Sequence, residues 1–217
     1  MTYEVVKRTI DILASIFLLI LFSPILFVTS IAIKFSSPGP VLVDKENSHM
    51  RRLGKKGKLF RLFKFRSMLD RADILEKTDP RYRTAHLQKR ADGSWKPTND
   101  PRILPGGRFI RKYSIDEMPQ LVNVLRGDMS LVGPRPYLQE ELEEQQRRFP
   151  GTEKYVGDML TVKPGITGFW QVSGRSDVGF EKRVEMDAYY ARKKSLFLDF
   201  LIMLKTPWAM ISGKGAR

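Results

Sequence analysis

From Ile12 to Ile33 the chain runs without a charged side chain, with Lys7, Arg8 and Asp11 before it and Lys34 after it. That stretch matches the roughly 20 apolar residues a helix needs to cross a bilayer. It continues into Lys34-Phe35-Ser36-Ser37-Pro38-Gly39-Pro40 rather than a small-residue cleavage site. The segment therefore reads as a retained membrane element, with a buried core helix as the alternative. Ser23-Pro24 stands at its middle. Proline removes an amide hydrogen and crowds the carbonyl one turn earlier, so a kink is expected. The Ser23 hydroxyl can satisfy a freed carbonyl, which lipid cannot do. A kinked segment can cross or turn back. Basic residues on both flanks favour turning back, because cytoplasmic loops carry the excess of Lys and Arg.

Across its 217 residues the chain has 38 Lys+Arg against 24 Asp+Glu, a net charge of +14. Such an excess points to anionic partners: nucleic acid, acidic lipid or phosphorylated small molecules. Between Lys45 and Arg66 nine basic residues face a single acid, Glu46. The run from Leu59 to Arg66, which includes Lys64, mixes basic and apolar residues like a strand. It suits a lipid-facing basic surface as well as a substrate-binding one. The absence of Cys excludes disulfides and thiolate zinc sites. With only His49 and His86 present, a histidine metal site or a Ser-His-Asp triad is poorly supplied.

Further along, 70–99 reads as a helix followed by a polar loop. Ser114 to Pro119 opens a short helix that ends near Gly127. An acidic helix is expected from Tyr137 to about Arg148. Lys163 to Gly168 and Gln171 to Arg175 read as loop or edge strand. The apolar positions between Phe197 and Trp208 suit an interfacial amphipathic helix or a core helix. The expected fold class is α+β: a membrane anchor at 1–36 packed on a mainly helical domain at 37–217 with a small amount of β structure.

The chemistry concentrates at Asp116-Glu117. Arg108, Arg111 and Lys112 stand just upstream, and Arg135 sits between Pro134 and Pro136 downstream. Helix N-termini and arginines both bind phosphate. A carboxylate kept ionised there can attack phosphorus, and a neighbouring acid can hold Mg²⁺. A structural alternative stays open, because Ser114-x-x-Glu117 is also a capping box.

The run from Ser114 to Pro136, SIDEMPQLVNVLRGDMSLVGPRP, resembles the bacterial sugar transferases, also called monotopic phosphoglycosyl transferases. Other matching pieces are Lys7-Arg8-x-x-Asp11, the Ser23-Pro24 break, Lys64-Phe65-Arg66-Ser67-Met68, Lys163 to Gly168 and Gln171 to Arg175. The resemblance implies a re-entrant helix-break-helix anchor turning at Ser23-Pro24, on the cytoplasmic face of a bacterial cell membrane. It implies Asp116 as nucleophile and Glu117 as its partner and Mg²⁺ ligand. It implies Lys7 near the active site, Arg111, Arg135, Lys64 and Arg66 on substrate phosphate, and Thr167, Gln171 and Arg175 near nucleotide or sugar. The implied partners are a UDP-hexose, polyprenyl phosphate and anionic membrane lipid, with no nucleic acid. A homodimer and the identity of the sugar stay open. The competing reading is a membrane-tethered polybasic adaptor for lipid or RNA, without catalysis.

Overall fold

The computed structural model describes residues 2–43, 50–82, 100–173 and 178–211. Helix α1, Tyr3–Ser36, has 34 residues and spans roughly 51 Å at 1.5 Å per residue. Its burial runs opposite to that of a soluble helix. The buried positions are Asp11, Ser15, Thr29 and Ile33, whereas Leu13, Phe17, Ile20, Phe27 and Val28 are exposed. Asp11, Ser15 and Thr29 face the protein while many large apolar side chains face outward, which suits an apolar surrounding. Pro24 lies inside α1 without ending it. The Ile20 carbonyl, deprived of the donor that Pro24 lacks, instead accepts from the Ser23 hydroxyl at 2.8 Å.

Both halves of α1 rest on the same body. Ala14, Leu18 and Leu19 pack against a cluster built from Leu121, Val124, Leu131, Val132, Tyr190 and Ile202. Beyond Pro24, Leu26 and Ile33 join a second cluster with Phe65, Leu104, Ile110 and Ile115. Polar contacts lock the first half. Arg8 donates to the carbonyls of Val124 and Leu125 at 2.5 and 2.8 Å. These lie near the C-terminus of a later helix, where a cation offsets unpaired carbonyls. The buried Asp11 accepts from the Leu131 amide at 3.1 Å.

The β structure is small. Strands β1 (Arg51–Leu53) and β2 (Leu59–Arg61) form an antiparallel hairpin. Helices α2 (Ala72–Thr78), α3 (Gly107–Lys112) and α4 (Gln120–Arg126) follow. Gly127, at φ 86°, ends α4 in the left-handed region that favours glycine. Strand β3 (Ser130–Val132) pairs in parallel with β4 (Gly165–Thr167). Between them come α5 (Gln139–Arg148) and α6 (Glu153–Met159). Glycine makes this pairing possible: a Cβ on Gly165 would lie 2.0 Å from the Gly133 amide nitrogen, and one on Gly133 would lie 2.4 Å from the Lys163 carbonyl.

Phe169–Ser173 forms a short helix, α7, where loop or edge strand was expected for Gln171 onward. The Val172 amide bonds the Gly168 carbonyl, so the chain coils as soon as it leaves β4. Helices α8 (Phe180–Lys193) and α9 (Leu196–Ile211) complete the described chain. On α9, Ile202 is buried while Phe197, Phe200, Leu204 and Trp208 are exposed, a second outward apolar face. The architecture is thus helix-rich with little sheet, as expected. The helix expected after Asp70 is α2, and residues 83–99 lie outside the described part.

Candidate active site

Asp116 and Glu117 sit in a 3-10 turn, Ile115–Glu117, between α3 and α4. The capping box left open as an alternative at Ser114 does not form. Ser114 adopts φ 56° and its side chain makes no cap hydrogen bond. Buried Ile115 anchors the turn in the second core cluster.

Lys64 is carried to this turn by backbone contacts. Asn123, fully buried on α4, donates from Nδ2 to the Arg61 carbonyl at 2.6 Å and accepts the Phe63 amide on Oδ1 at 2.9 Å. The Phe65 amide then donates to the Asp116 carbonyl at 2.9 Å. The intervening Lys64 reaches both acids, with Nζ 2.9 Å from Asp116 Oδ2 and 3.5 Å from Glu117 Oε1. Burial pushes the Lys64 ammonium toward a lower pKa, but Asp116 and Glu117 more than offset this and hold it above the usual lysine value. Asp116 is buried, whereas the Glu117 side chain is 40% exposed. One acid is therefore enclosed and oriented, and its neighbour opens outward.

Further cations act on the dyad and its neighbours. The charge of Arg111, at the end of α3, is felt at Lys64 and Asp100. Arg52 of β1 is pushed down to about 10, first by burial and then by Arg135, with Glu141 and Glu117 pulling upward. The Nε atoms of Arg52 and Arg135 are buried without a hydrogen-bond partner among the described residues. Guanidiniums crowded together with unused donors suit a phosphate oxygen. Behind Arg135 stands Asp187 of α8, fully buried, whose Oδ2 accepts the Arg135 amide at 3.3 Å. Burial drives the Asp187 carboxyl well above the usual range, against the pull of Arg135.

The other expected site residues that are described make contacts of their own. Lys7 pairs with Asp199 of α9 at 2.9 Å rather than with the dyad. Arg66 donates to the Ser37 hydroxyl, the Ser37 carbonyl and the Pro38 carbonyl at 2.7 to 2.9 Å, so it fastens the turn that leaves α1. The Thr167 hydroxyl shares a 2.8 Å hydrogen bond with Thr206. Gln171 Nε2 donates to the Ile166 carbonyl at 3.3 Å, while its Oε1 is buried without a partner among the described residues. Arg175 lies outside the described residues.

Sequence reasoning missed Arg52, Asn123 and Asp187. Arg52 sat anonymously in the basic run, because only the contacts of Arg52 and Leu53 with the Pro136 and Tyr137 carbonyls set it beside Arg135. Asp187 did carry a signal: it shares a helix face with the buried Val184, Ala188 and Ala191.

A family model described as bacterial sugar transferase matches residues 2–213. The chain is 41% identical over 214 residues to an undecaprenyl-phosphate galactose phosphotransferase of Salmonella typhimurium, covering 97% of this chain and 41% of that protein. It is 39% identical over 211 residues to the exopolysaccharide production protein ExoY of Rhizobium meliloti, covering 97% and 87%. A UDP-N-acetylgalactosamine-undecaprenyl-phosphate N-acetylgalactosaminephosphotransferase of Aeromonas hydrophila is 38% identical over 218 residues, covering 99% and 46%. The chain thus spans less than half the length of the Salmonella and Aeromonas relatives. With the match running almost end to end, the chain belongs to the bacterial sugar transferase family.

Proposed function

We propose that the chain is a phosphoglycosyl transferase that moves hexose-1-phosphate from a UDP-sugar to polyprenyl phosphate. The observation that carries this reading is the pairing of buried Asp116 with Lys64 at 2.9 Å, with arginines bearing unused donors close by. An Asp116 carboxylate oxygen attacks the sugar-bearing β-phosphorus. The bond from that phosphorus to the bridging oxygen breaks, UMP leaves with the electron pair, and an aspartyl-phosphosugar forms. A phosphate oxygen of the polyprenyl acceptor then attacks the same phosphorus. The carboxylate is released and polyprenyl-diphosphate-sugar results. Splitting the transfer into two displacements is the advantage of covalent catalysis.

Lys64 holds Asp116 in place, and Arg111, Arg135 and Arg52 supply fixed positive charge around the phosphates. Glu117 fits Mg²⁺: its carboxylate faces outward, and no cluster of three or more acid or histidine ligands occurs among the described residues. Mg²⁺ of this kind is held by one or two carboxylates together with substrate phosphates, and supplies charge neutralisation there. The family relationship and the names of the relatives support the substrate classes.

The outward apolar faces of α1 and α9 support a monotopic placement at the bacterial cell membrane. Packing of both halves of α1 on one body supports a re-entrant rather than a crossing segment. The basic run then faces the cytoplasm, where anionic lipid attracts it.

The test is a single-turnover incubation with UDP-sugar and Mg²⁺ and no lipid acceptor. A stoichiometric burst of UMP is expected, with one hexose-phosphate added to the intact mass and mapped to Asp116. Asp116→Asn abolishes both signals. UMP released only when polyprenyl phosphate is present would instead mean direct attack by the lipid phosphate.

A further inference from the structure

Between the start of α1, the end of α8 and strand β3, the protein forms an open cavity of about 240 Å³. None of Asp116, Glu117, Lys64, Arg111 or Arg135 lines it. Its wall is strongly basic, and most of that charge is already committed. Lys7 pairs with Asp199, Arg8 with the carbonyls at the end of α4, and Lys194 with Glu4. Two lysines are left over. The side chains of Lys55, from the β1–β2 turn, and Lys163, just before β4, line the cavity with no ion pair or hydrogen bond of their own among the described residues, although Glu4 and Asp11 share the wall. Burial, then Arg8 and Lys55, push the Lys163 ammonium below the usual lysine value, against the pull of Asp11 and Asp128. On the same wall the Ser130 hydroxyl is buried, at 1% exposure, with no hydrogen-bond partner among the described residues.

A buried hydroxyl without a partner, beside two ammonium groups that form no ion pair, offers an anion three unused donors. We propose that this cavity is a second anion site, holding a phosphate group between Lys55, Lys163 and the Ser130 hydroxyl. The volume suits a phosphate with part of its ester. The flanking surfaces suit a lipid-borne one: α1 exposes Val5 and Leu13 and α9 exposes Phe197 and Phe200, and Tyr3 and Lys7 join these helices at Asp199. A free phosphate makes the same polar contacts. The site does not depend on Asp116 being the nucleophile.

The experiment titrates the purified chain in uncharged detergent with dihexanoyl phosphatidate and, separately, with inorganic phosphate, reading the melting temperature. A saturable rise is expected for the wild type. Response to both probes means the phosphate alone suffices, and response to phosphatidate alone means the ester and chains contribute. Lys55→Gln/Lys163→Gln should weaken the response at least tenfold. Ser130→Ala should weaken it while leaving the melting temperature without probe at or above wild type, because the hydroxyl has no partner to lose. Asp116→Asn should bind normally. No saturable rise with either probe, equal affinity in the lysine variant and the Ser130→Ala variant, or loss of binding in Asp116→Asn would each overturn the site.

Discussion

Lys64 and Asp116 are joined twice: by the 2.9 Å ion pair between their side chains, and by the amide of the next residue, Phe65, donating to the Asp116 carbonyl. Replacing Lys64 with Met should therefore leave an enclosed carboxylate without its cation. Turnover should fall about 10²-fold or more, and stability should drop by up to about 3 kcal/mol. Lys64→Arg should restore more of the stability than of the turnover.

The same pair predicts a pH signature. Because its two acids hold the Lys64 pKa above the ordinary value, its stabilisation is complete below that value of about 10.4 and lost only as pH rises through the higher folded one. The melting-temperature gap between wild type and Lys64→Met should stay constant from about pH 6 to 9. A gap that closes within that window contradicts the pairing.

Asp187 titrates with consequences of the same sign at lower pH. Its folded pKa is raised by burial, so its contribution is complete below the unfolded value of about 3.9 and is lost as pH rises through the folded value. Asp187→Asn should gain stability relative to wild type between about pH 4 and 7, read as melting temperature across that series. Arg135→Lys should lose activity at near wild-type melting temperature, because a point charge cannot reproduce the guanidinium fork. A large loss of stability in Arg135→Lys, with activity retained, would make Arg135 a structural ion-pair partner.

Glycine contacts separate the packing of backbone on backbone from ordinary helix content. Gly165→Ala and Gly133→Ala press a methyl group into backbone atoms and should each cost about 3 kcal/mol or more by denaturant melting. Gly157, inside α6 with open space around it, should behave oppositely. Gly157→Ala should stabilise by about 0.5–1 kcal/mol.

The chain has no native cysteine, so single labels report membrane sidedness cleanly. Thr2→Cys before α1 and Lys58→Cys after it should react from the same face of sealed vesicles. Labelling from opposite faces would mean that α1 crosses. Ser23→Ala removes the donor to Ile20 and should destabilise the anchor by about 1–3 kcal/mol, since lipid offers the carbonyl no replacement.

What the sequence determined by itself was local. An uncharged run makes a long apolar helix, Ser23-Pro24 carries both the missing donor and its replacement, and Gly127 ends α4 because glycine accepts the left-handed region. The acidic run forms α5, and the apolar spacing near the C-terminus forms α9. These follow from residue spacing and backbone freedom, which need no distant partner. Tertiary structure alone decided which of many cations serves which carboxylate. Lys64 reaches Asp116 because Asn123 and the Phe65 amide fix the backbone on either side of it, whereas Arg66, two residues later, is captured by the turn after α1. Arg52 meets Arg135, and Asp187 lies behind it, only once the strands and α8 have packed. Charge in a sequence has no direction; the fold supplies one by burying some partners and leaving others without an acceptor.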